Sequence, residues 1–340
     1  MRNRIAELVS IGSVKLREEE TQPLHDGEVL VKIRAAGLCG SDRHYFLHGG
    51  LGSFKQKLPM PMGHEAAGEV IESRSAKFQS GDRVALEPAR QCDACTDCLK
   101  GKYNLCTRGT FMGANAQGAF SDYVTAHEKQ LMKMPDAMSF EAGALLEPLG
   151  VVLHALNLHP VTANDTATIF GCGPIGLSML YLLRKKGVKQ VFMIDRIPYR
   201  TAFAKEFGAT EVFMLEEPWK EMIKEKTEGR GTSLNIDAAG EESSINGCME
   251  TSSTAGHIML IGIPETDTVP FNPHRMRVNE LTLQNVRRSN QTLRDCISLT
   301  TGDDTLARMI THRLPLESLQ KGLELTGNYQ DGVIKCMILA

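Results

Sequence analysis

The sequence predicts an irregular β-rich domain followed by an α/β domain built on a doubly wound parallel sheet. Three observations carry this reading. Short strand-like runs separated by glycine and proline fill roughly the first 150 residues. From Thr166 onward, apolar strand-like runs alternate with helix-like ones at the spacing of βαβ units. A glycine-rich motif stands between the first of those strands and its helix. The length of 340 residues suits two or three domains, and 42% hydrophobic content gives each of them a core.

Taken in order, residues 28–37 (EVLVKIRAAG) alternate apolar and polar with a period near two, and 67–72 and 83–86 are further short β-like runs. Glycines at 27, 37, 40, 49, 50, 52, 63 and 81, with Pro59 and Pro61, punctuate them. The second half reads ATIFG, a helix over 174–186, VFMID, a helix around 200–207, EVFML, and a charged helical stretch from Pro218. It continues with LNIDAAG, a helix over 244–253, HIMLIGI and LTLQNV. From about Arg288, two helical patches and the β run VIKCMIL either extend the second domain or return to the first. There is no internal repeat and no low-complexity tract.

Lys+Arg number 38 against 41 Asp+Glu, a formal charge of -3, which offers no electrostatic footprint for nucleic acid or an anionic membrane. No apolar run reaches the ~18 residues of a membrane span. The first ten residues carry two arginines and a glutamate without an apolar core, so the expected setting is cytoplasmic. The nine cysteines are not spread as a disulfide framework. Cys248, Cys296 and Cys336 read as small buried apolar residues.

Gly171, Gly173 and Gly176 spell G-C-G-P-I-G, with Pro174 and Ile175 opening the helix. The first glycine makes a tight turn, the second admits a pyrophosphate close to the backbone, and the third lets helix pack on strand. The pyrophosphate then meets unpaired N–H groups at a helix N-terminus. Asp195, nineteen residues after Gly176, closes VFMID where a carboxylate accepts both ribose hydroxyls of NAD. It would repel a 2′-phosphate, whereas Arg196 and Arg200 could hold one, so NAD is preferred over NADP without NADP being excluded.

Cys92, Cys95, Cys98 and Cys106 present four thiolates in one short polar loop, the pattern of a closed tetrahedral structural Zn²⁺ site. A second, dispersed set is Cys39 in GLCGSDRHY, His64 and Glu65 in PMGHEAAGEV, and Glu147 in ALLEPLGVVLHA. One thiolate, one imidazole and a carboxylate form the mixed set that leaves a catalytic zinc one open position. Such a zinc lowers the pKa of an alcohol and polarises a ketone in reverse, while nicotinamide takes the hydride.

With these motifs in view, the chain resembles the zinc-dependent medium-chain dehydrogenases, in their sorbitol or polyol dehydrogenase branch. The resemblance runs from GEVLVKIRAAGLCGSDRHY through GHEAAGEV, GDRVALEPARQCDACTDCLKGKYNLC and EAGALLEPLGVVLHAL to GCGPIG and HIMLIG. It implies a GroES-like catalytic domain over 1–151 with a zinc lobe at 88–108. A Rossmann domain over 152–287 and a return of 288–340 to the catalytic domain would follow, with the active site in the cleft between domains. It also implies that Cys39 and His64 ligate the catalytic zinc, with either Glu65 or Glu147 as carboxylate ligand and the other contacting the bound water. Ser41 and His44 take the places of the family's proton relay. Asp42 is read as orienting His64 or as capping a helix, and Tyr45 and Arg288 as contacting substrate hydroxyls.

Ser289 stands where sorbitol dehydrogenases often carry an aromatic residue, which leaves alditols, sugar acids and cyclitols all open. The expected reaction is therefore NAD-dependent oxidation of a secondary alcohol. Relatives acting on threonine tend to place aspartate where this chain has Glu147, so that reading ranks second. A zinc-stabilised nucleotide-binding protein without catalysis is the third. The run from His257, HIMLIGIPETDTVPF, resembles the apolar edge through which such enzymes pair, so a homodimer or homotetramer is expected.

Overall fold

In the structure, a computed structural model describing residues 1–340, the chain divides into two compact units. One is Met1–Gly150 with Ser289–Ala340, the other Val151–Arg288. No helix is long and apolar enough to cross a membrane.

In the first unit, strand Glu28–Gly37 is the centre of a mixed seven-stranded sheet. Glu65–Ser73 runs antiparallel along one side of it, and Arg83–Leu86 and Leu131–Lys133 follow outward. On the other side Tyr123–His127 pairs with its first half and Lys335–Leu339 with its second half. Strand Ile310–Pro315, which the sequence reading did not find, runs parallel to Lys335–Leu339. The C-terminal tail is thus an inner strand here, and Leu316, Leu319, Leu323, Val333, Cys336 and Ile338 join the same core as Val31, Ile33 and Val70. The hairpin of Arg2–Ser10 with Ser13–Glu20 was also unforeseen.

Helix Gly40–His48 begins at Cys39, whose backbone is extended and whose N–H donates to Asp42 Oδ2 at 3.0 Å. A carboxylate at the third helical position satisfies an orphan donor and suits the positive helix end. The helix stops at Gly49, which adopts φ +67° and donates its N–H to the Tyr45 carbonyl at 2.9 Å.

The second unit carries a six-stranded parallel sheet. Its order is Glu211–Met214, Gln190–Asp195, Thr166–Phe170, Thr232–Asp237, Ser252–Leu260, Thr282–Asn285. In sequence terms this is 3-2-1-4-5-6, the order of dinucleotide-binding folds, with the switch point beside the first strand. Phe170, Phe192, Phe213, Trp219 and Ile245 form the core on one face. Two sequence readings need correction. The helix read over 244–253 is Glu242–Thr251, because Ser252 and Ser253 already open the next strand. The His257 run is not a sheet edge, since Ser252–Leu260 is paired on both sides and the open edge is Thr282–Asn285.

His257 stacks on His159 with ring centroids 3.7 Å apart, and its buried Nε2 has no hydrogen-bond partner. Burial, reinforced by His159, pushes its pKa down to about 4. The unfolded chain takes up this proton near the ordinary value of about 6.5, the folded chain only near 4. The resulting stabilisation is therefore whole above about pH 6.5 and is lost as pH falls toward 4. We expect the melting temperature to fall across this window, and His257→Gln to flatten that slope. An unchanged slope in the variant would exclude His257 as its source.

Candidate active site

The folded chain brings Cys39, His64 and Glu65 together, with one donor atom of each within 4.8 Å of the others. Two neighbouring strands and one helix start do this. Glu65 opens strand Glu65–Ser73 directly across from Gly37, and Cys39 follows that partner strand as the helix cap. His64 is reached through Gly63, which adopts φ +91° and lies where a Cβ would sit 2.7 Å from the Phe120 backbone nitrogen. Only glycine tolerates both conditions.

His64, Glu65, Asp42 and Glu147 are buried, at 4%, 1%, 0% and 6% exposure. Of the two roles weighed for Asp42 the structure shows the cap, while its second oxygen only faces His64. Its Oδ2 caps the helix, while its Oδ1 lies 3.8 Å from His64 Nδ1. That distance is too long for a hydrogen bond, and both atoms are buried without another partner. The Asp42 carboxylate is therefore poised to fix the imidazole once His64 is loaded with a cation.

Cys39 keeps some exposed surface as a residue, yet burial, aided by the charges of Glu65 and Asp42, pushes its thiol up to about 12. Such a thiol becomes an anion at neutral pH only when a metal takes the proton's place. Glu147 lies outside the three-donor group, but His64, Glu65 and Cys39 all act on its charge. Burial raises it well above the usual carboxylate range, His64 opposes this, and Glu65 and Cys39 reinforce it. The geometry thus gives the carboxylate position beside Cys39 and His64 to Glu65, with Glu147 outside that group.

Sequence reasoning missed the cation facing this group. Lys335 is 1% exposed, ion-pairs with Glu65 Oε2 and donates to the Leu38 carbonyl at 2.8 Å. Burial alone would lower its pKa, but Glu65 and Cys39 more than reverse this, and the net shift is upward. The space it occupies explains Gly37, where a Cβ would meet Lys335 Cε at 2.9 Å and collide with Glu65 Oε2. A lysine inside VIKCMIL, otherwise a buried strand, was the signal available. Several buried acids stand against one buried ammonium, and a divalent cation held by Cys39, His64 and Glu65 would compensate them once they ionise.

Ser41 is 8% exposed, and its hydroxyl favours the anionic form of the Cys39 thiol. Ser41, His44 and Tyr45 share one face of helix Gly40–His48 by their i, i+3, i+4 spacing. Tyr45 is largely buried in the core of this unit. Arg288, with φ +57°, ends the second unit, and Ser289 donates its hydroxyl to Glu87 at 2.8 Å.

The four cysteines of the lobe also converge, with ligand atoms within 4.8 Å of one another. Cys92 N–H donates to Cys106 Sγ at 3.3 Å. Backbone N–H groups of Cys98 and Thr107 pull Cys95 down to about 6, whereas burial pushes Cys98 up to about 12. Four thiols in one small cage, none in a disulfide, suit a tetrahedral divalent cation with no position left open.

In the second unit Gly171 takes φ +104°, and Gly173 caps helix Pro174–Lys185 with Pro174 in its first turn. A Cβ on Gly176 would lie 1.9 Å from the Gly171 carbonyl oxygen, so helix and strand approach as the motif requires. Ile175 lies in the first turn of the same helix. Asp195 Oδ2 accepts the Cys172 N–H at 2.7 Å and Oδ1 accepts that of Ile197 at 2.9 Å. Arg200 reaches the glycine loop, with Nη1 3.4 Å from where a Gly173 Cβ would stand, while Arg196 lies 3.7 Å from Glu241.

Comparison with known proteins agrees with both units. Residues 25–136 match the alcohol dehydrogenase GroES-like domain family, and 174–301 the zinc-binding dehydrogenase family. The chain is 31% identical to sorbitol dehydrogenase of Bacillus subtilis over 327 residues, 94% of this chain and 93% of that one. It is 30% identical to L-threonine 3-dehydrogenase of Bacillus velezensis over 325 residues, 94% of each. Among solved structures, an oxidoreductase/dehydrogenase of unknown specificity from Escherichia coli superposes with a TM-score of 0.92 at 31% identity, covering 100% of this chain and 99% of that one. With its GroES-like unit, its parallel nucleotide-binding sheet and this similarity over nearly its whole length, the chain belongs to the zinc-binding medium-chain dehydrogenases, in their polyol dehydrogenase-like branch.

Proposed function

We propose that the chain interconverts a secondary alcohol of a polyol or sugar acid with its ketone, using NAD and one zinc ion in each metal site. The observation that carries this is the convergence of Cys39, His64 and Glu65 beside the unpartnered pair of Asp42 Oδ1 and His64 Nδ1. Bound there, zinc would supply a Lewis acid for the alcohol or ketone oxygen. The chain's own groups do the rest. Asp42 fixes the His64 ring, Lys335 fixes Glu65, and Ser41 passes the hydroxyl proton toward His44 and solvent. NAD, held by the glycine loop and Asp195, would supply the acceptor for the hydride of the carbon-bound hydrogen. Arg288 is suited to a hydroxyl or a carboxylate of the substrate, whereas Tyr45 is packed into the core of its unit.

In the coenzyme unit the glycine loop and the N-terminus of Pro174–Lys185 would take the pyrophosphate. The two oxygens of Asp195, each engaged by one backbone N–H, retain lone pairs for the ribose diol. Asp195→Ala should raise the KM for NAD about tenfold to a hundredfold, the loss of two charge-assisted hydrogen bonds. It should also lower the KM for NADP, since Arg200 remains beside the loop. Equal NAD affinity in variant and wild type would refute the ribose assignment.

Emptying the lobe with Cys98→Ser should leave one zinc per chain. It should also lower the melting temperature by roughly 5–10 °C, a metal clip being worth several kcal/mol at about 2–4 °C each. Calorimetry with metal analysis measures this, and unchanged melting with two zincs retained would remove the structural assignment.

Initial rates of NAD and NADP reduction over alditols, aldonic acids, cyclitols and threonine test the whole reading. Turnover of a polyol or sugar acid with NAD is expected. Turnover of threonine alone would favour the second reading, which the Bacillus velezensis relative supports. A chain holding only the lobe's metal and turning nothing over would point to the non-catalytic one. We further propose a homodimer or homotetramer, which sedimentation velocity tests.

A further inference from the structure

We infer that Asn290 is a positioning residue that couples the four-cysteine lobe to the helix that carries Glu147. Asn290 Oδ1 accepts the Tyr103 N–H at 3.1 Å, and its Nδ2 donates to the Gly101 carbonyl at 3.0 Å. Tyr103 and Gly101 lie in the loop between Cys98 and Cys106, so one side chain reads the backbone of the lobe as donor and as acceptor.

The residues on either side of Asn290 face the other way. Ser289 is 3% and Thr292 2% exposed, and both pack on Gly150, where a Cβ would meet Thr292 Oγ1 at 2.7 Å and Ser289 Cβ at 3.3 Å. Thr292 Oγ1 donates to the Gly150 carbonyl at 2.9 Å, and Ser289 to Glu87 at 2.8 Å. Gly150 follows Glu147 by three residues on helix Leu146–Leu158, one turn along the same face. Glu87 in turn acts on the charge of Glu147. The segment therefore bridges the lobe and the helix that presents Glu147 to Cys39, His64 and Glu65.

Its backbone does not adopt this course by preference. Arg288 at φ +57° and Gln291 at φ +58° both hold the left-handed conformation that L side chains with a Cβ disfavour. Such a conformation persists where the surroundings over-determine it, and here the bonds of Ser289, Asn290 and Thr292 do so. Of these, only Asn290 ties the segment to the lobe. A metal in the lobe, beyond holding the lobe itself, thus orders the residues that back the catalytic side. The kinetic part of the inference rests on the proposed dehydrogenase reading; the structural part does not.

The test uses the full zinc-loaded chain. Hydrogen exchange is followed at the Cys296 amide, whose N–H donates to the Thr292 carbonyl at 3.0 Å, in wild type, in Asn290→Ala, in Asn290→Asp and in Cys98→Ser, whose lobe holds no metal. Asn290→Ala should retain both metals yet exchange about tenfold faster at Cys296, the factor that two ordinary hydrogen bonds supply. Asn290→Asp, which keeps the acceptor for the Tyr103 N–H, should lie between the two. Cys98→Ser should reproduce the Asn290→Ala pattern, and the double variant should add nothing to it. Protection that persists at Cys296 in Asn290→Ala, or in Cys98→Ser, overturns the coupling. With a substrate from the panel, KM should rise about tenfold while kcat stays within about twofold. An unchanged KM overturns the positioning role even if exchange rises. If no compound of the panel is turned over, the exchange experiment still decides the coupling, and only the dehydrogenase reading falls.

Discussion

Lys335→Met is expected to lower the unfolding free energy by about 3–5 kcal/mol, the cost of leaving one member of a buried ion pair without its partner. The methionine fits the volume, so the loss is electrostatic. Glu65, 1% exposed, loses the ammonium on its Oε2, and the Leu38 carbonyl loses a donor directly before Cys39. The double variant Lys335→Met with Glu65→Gln removes both charges and should recover most of the stability, because a neutral amide has no buried charge to leave unpaired. Denaturant unfolding of the metal-free chain measures both. Equal stability of Lys335→Met and wild type would show that the pair contributes nothing, and additive losses in the double variant would show that the two residues act separately.

Cys39→Ser is expected to reduce turnover by about 10³-fold or more, since a Lewis acid contributes several kcal/mol and each 1.4 kcal/mol is a factor of ten. The fold should survive. Serine is a preferred N-cap residue, so helix Gly40–His48 keeps its start, and the Asp42 bond to the residue 39 N–H does not depend on the side chain. Metal content should fall to one ion per chain, with the lobe still filled. NAD affinity should stay within about twofold, because the glycine loop and Asp195 belong to the other unit. Metal analysis, initial rates and a coenzyme titration report these three quantities separately. Full turnover in Cys39→Ser would remove Cys39 from the chemistry, whereas loss of NAD binding alongside activity would indicate general unfolding instead.

Much of the site was legible in the sequence because its signals are local. The four lobe cysteines span fifteen residues, the glycine loop lies between one strand and one helix, and Asp195 closes the next strand. Strand 28–37 and the βαβ alternation were readable because burial of one or both faces writes its period directly into the residues. Helix Gly40–His48 was legible only as a possible cap at Asp42, since GSDRHYFLH carries no clear apolar stripe and is held by its caps at Asp42 and Gly49. The His257 run was placed at an edge because an apolar strand looks the same wherever it lies in a sheet, and only the partner Thr282–Asn285 shows that it is interior.

The sequence by itself determined the donor types, the nucleotide motif and the class of each domain, all of which depend on residues near one another along the chain. Tertiary structure alone decided what depends on contacts between distant residues. It placed Glu65 rather than Glu147 beside Cys39 and His64, through the register that sets Glu65 across from Gly37. It brought Lys335 from the last strand onto Glu65, and Asn290 onto the cysteine lobe. Strand pairing and side-chain burial join positions nearly three hundred residues apart, and no local period or spacing records such a partner.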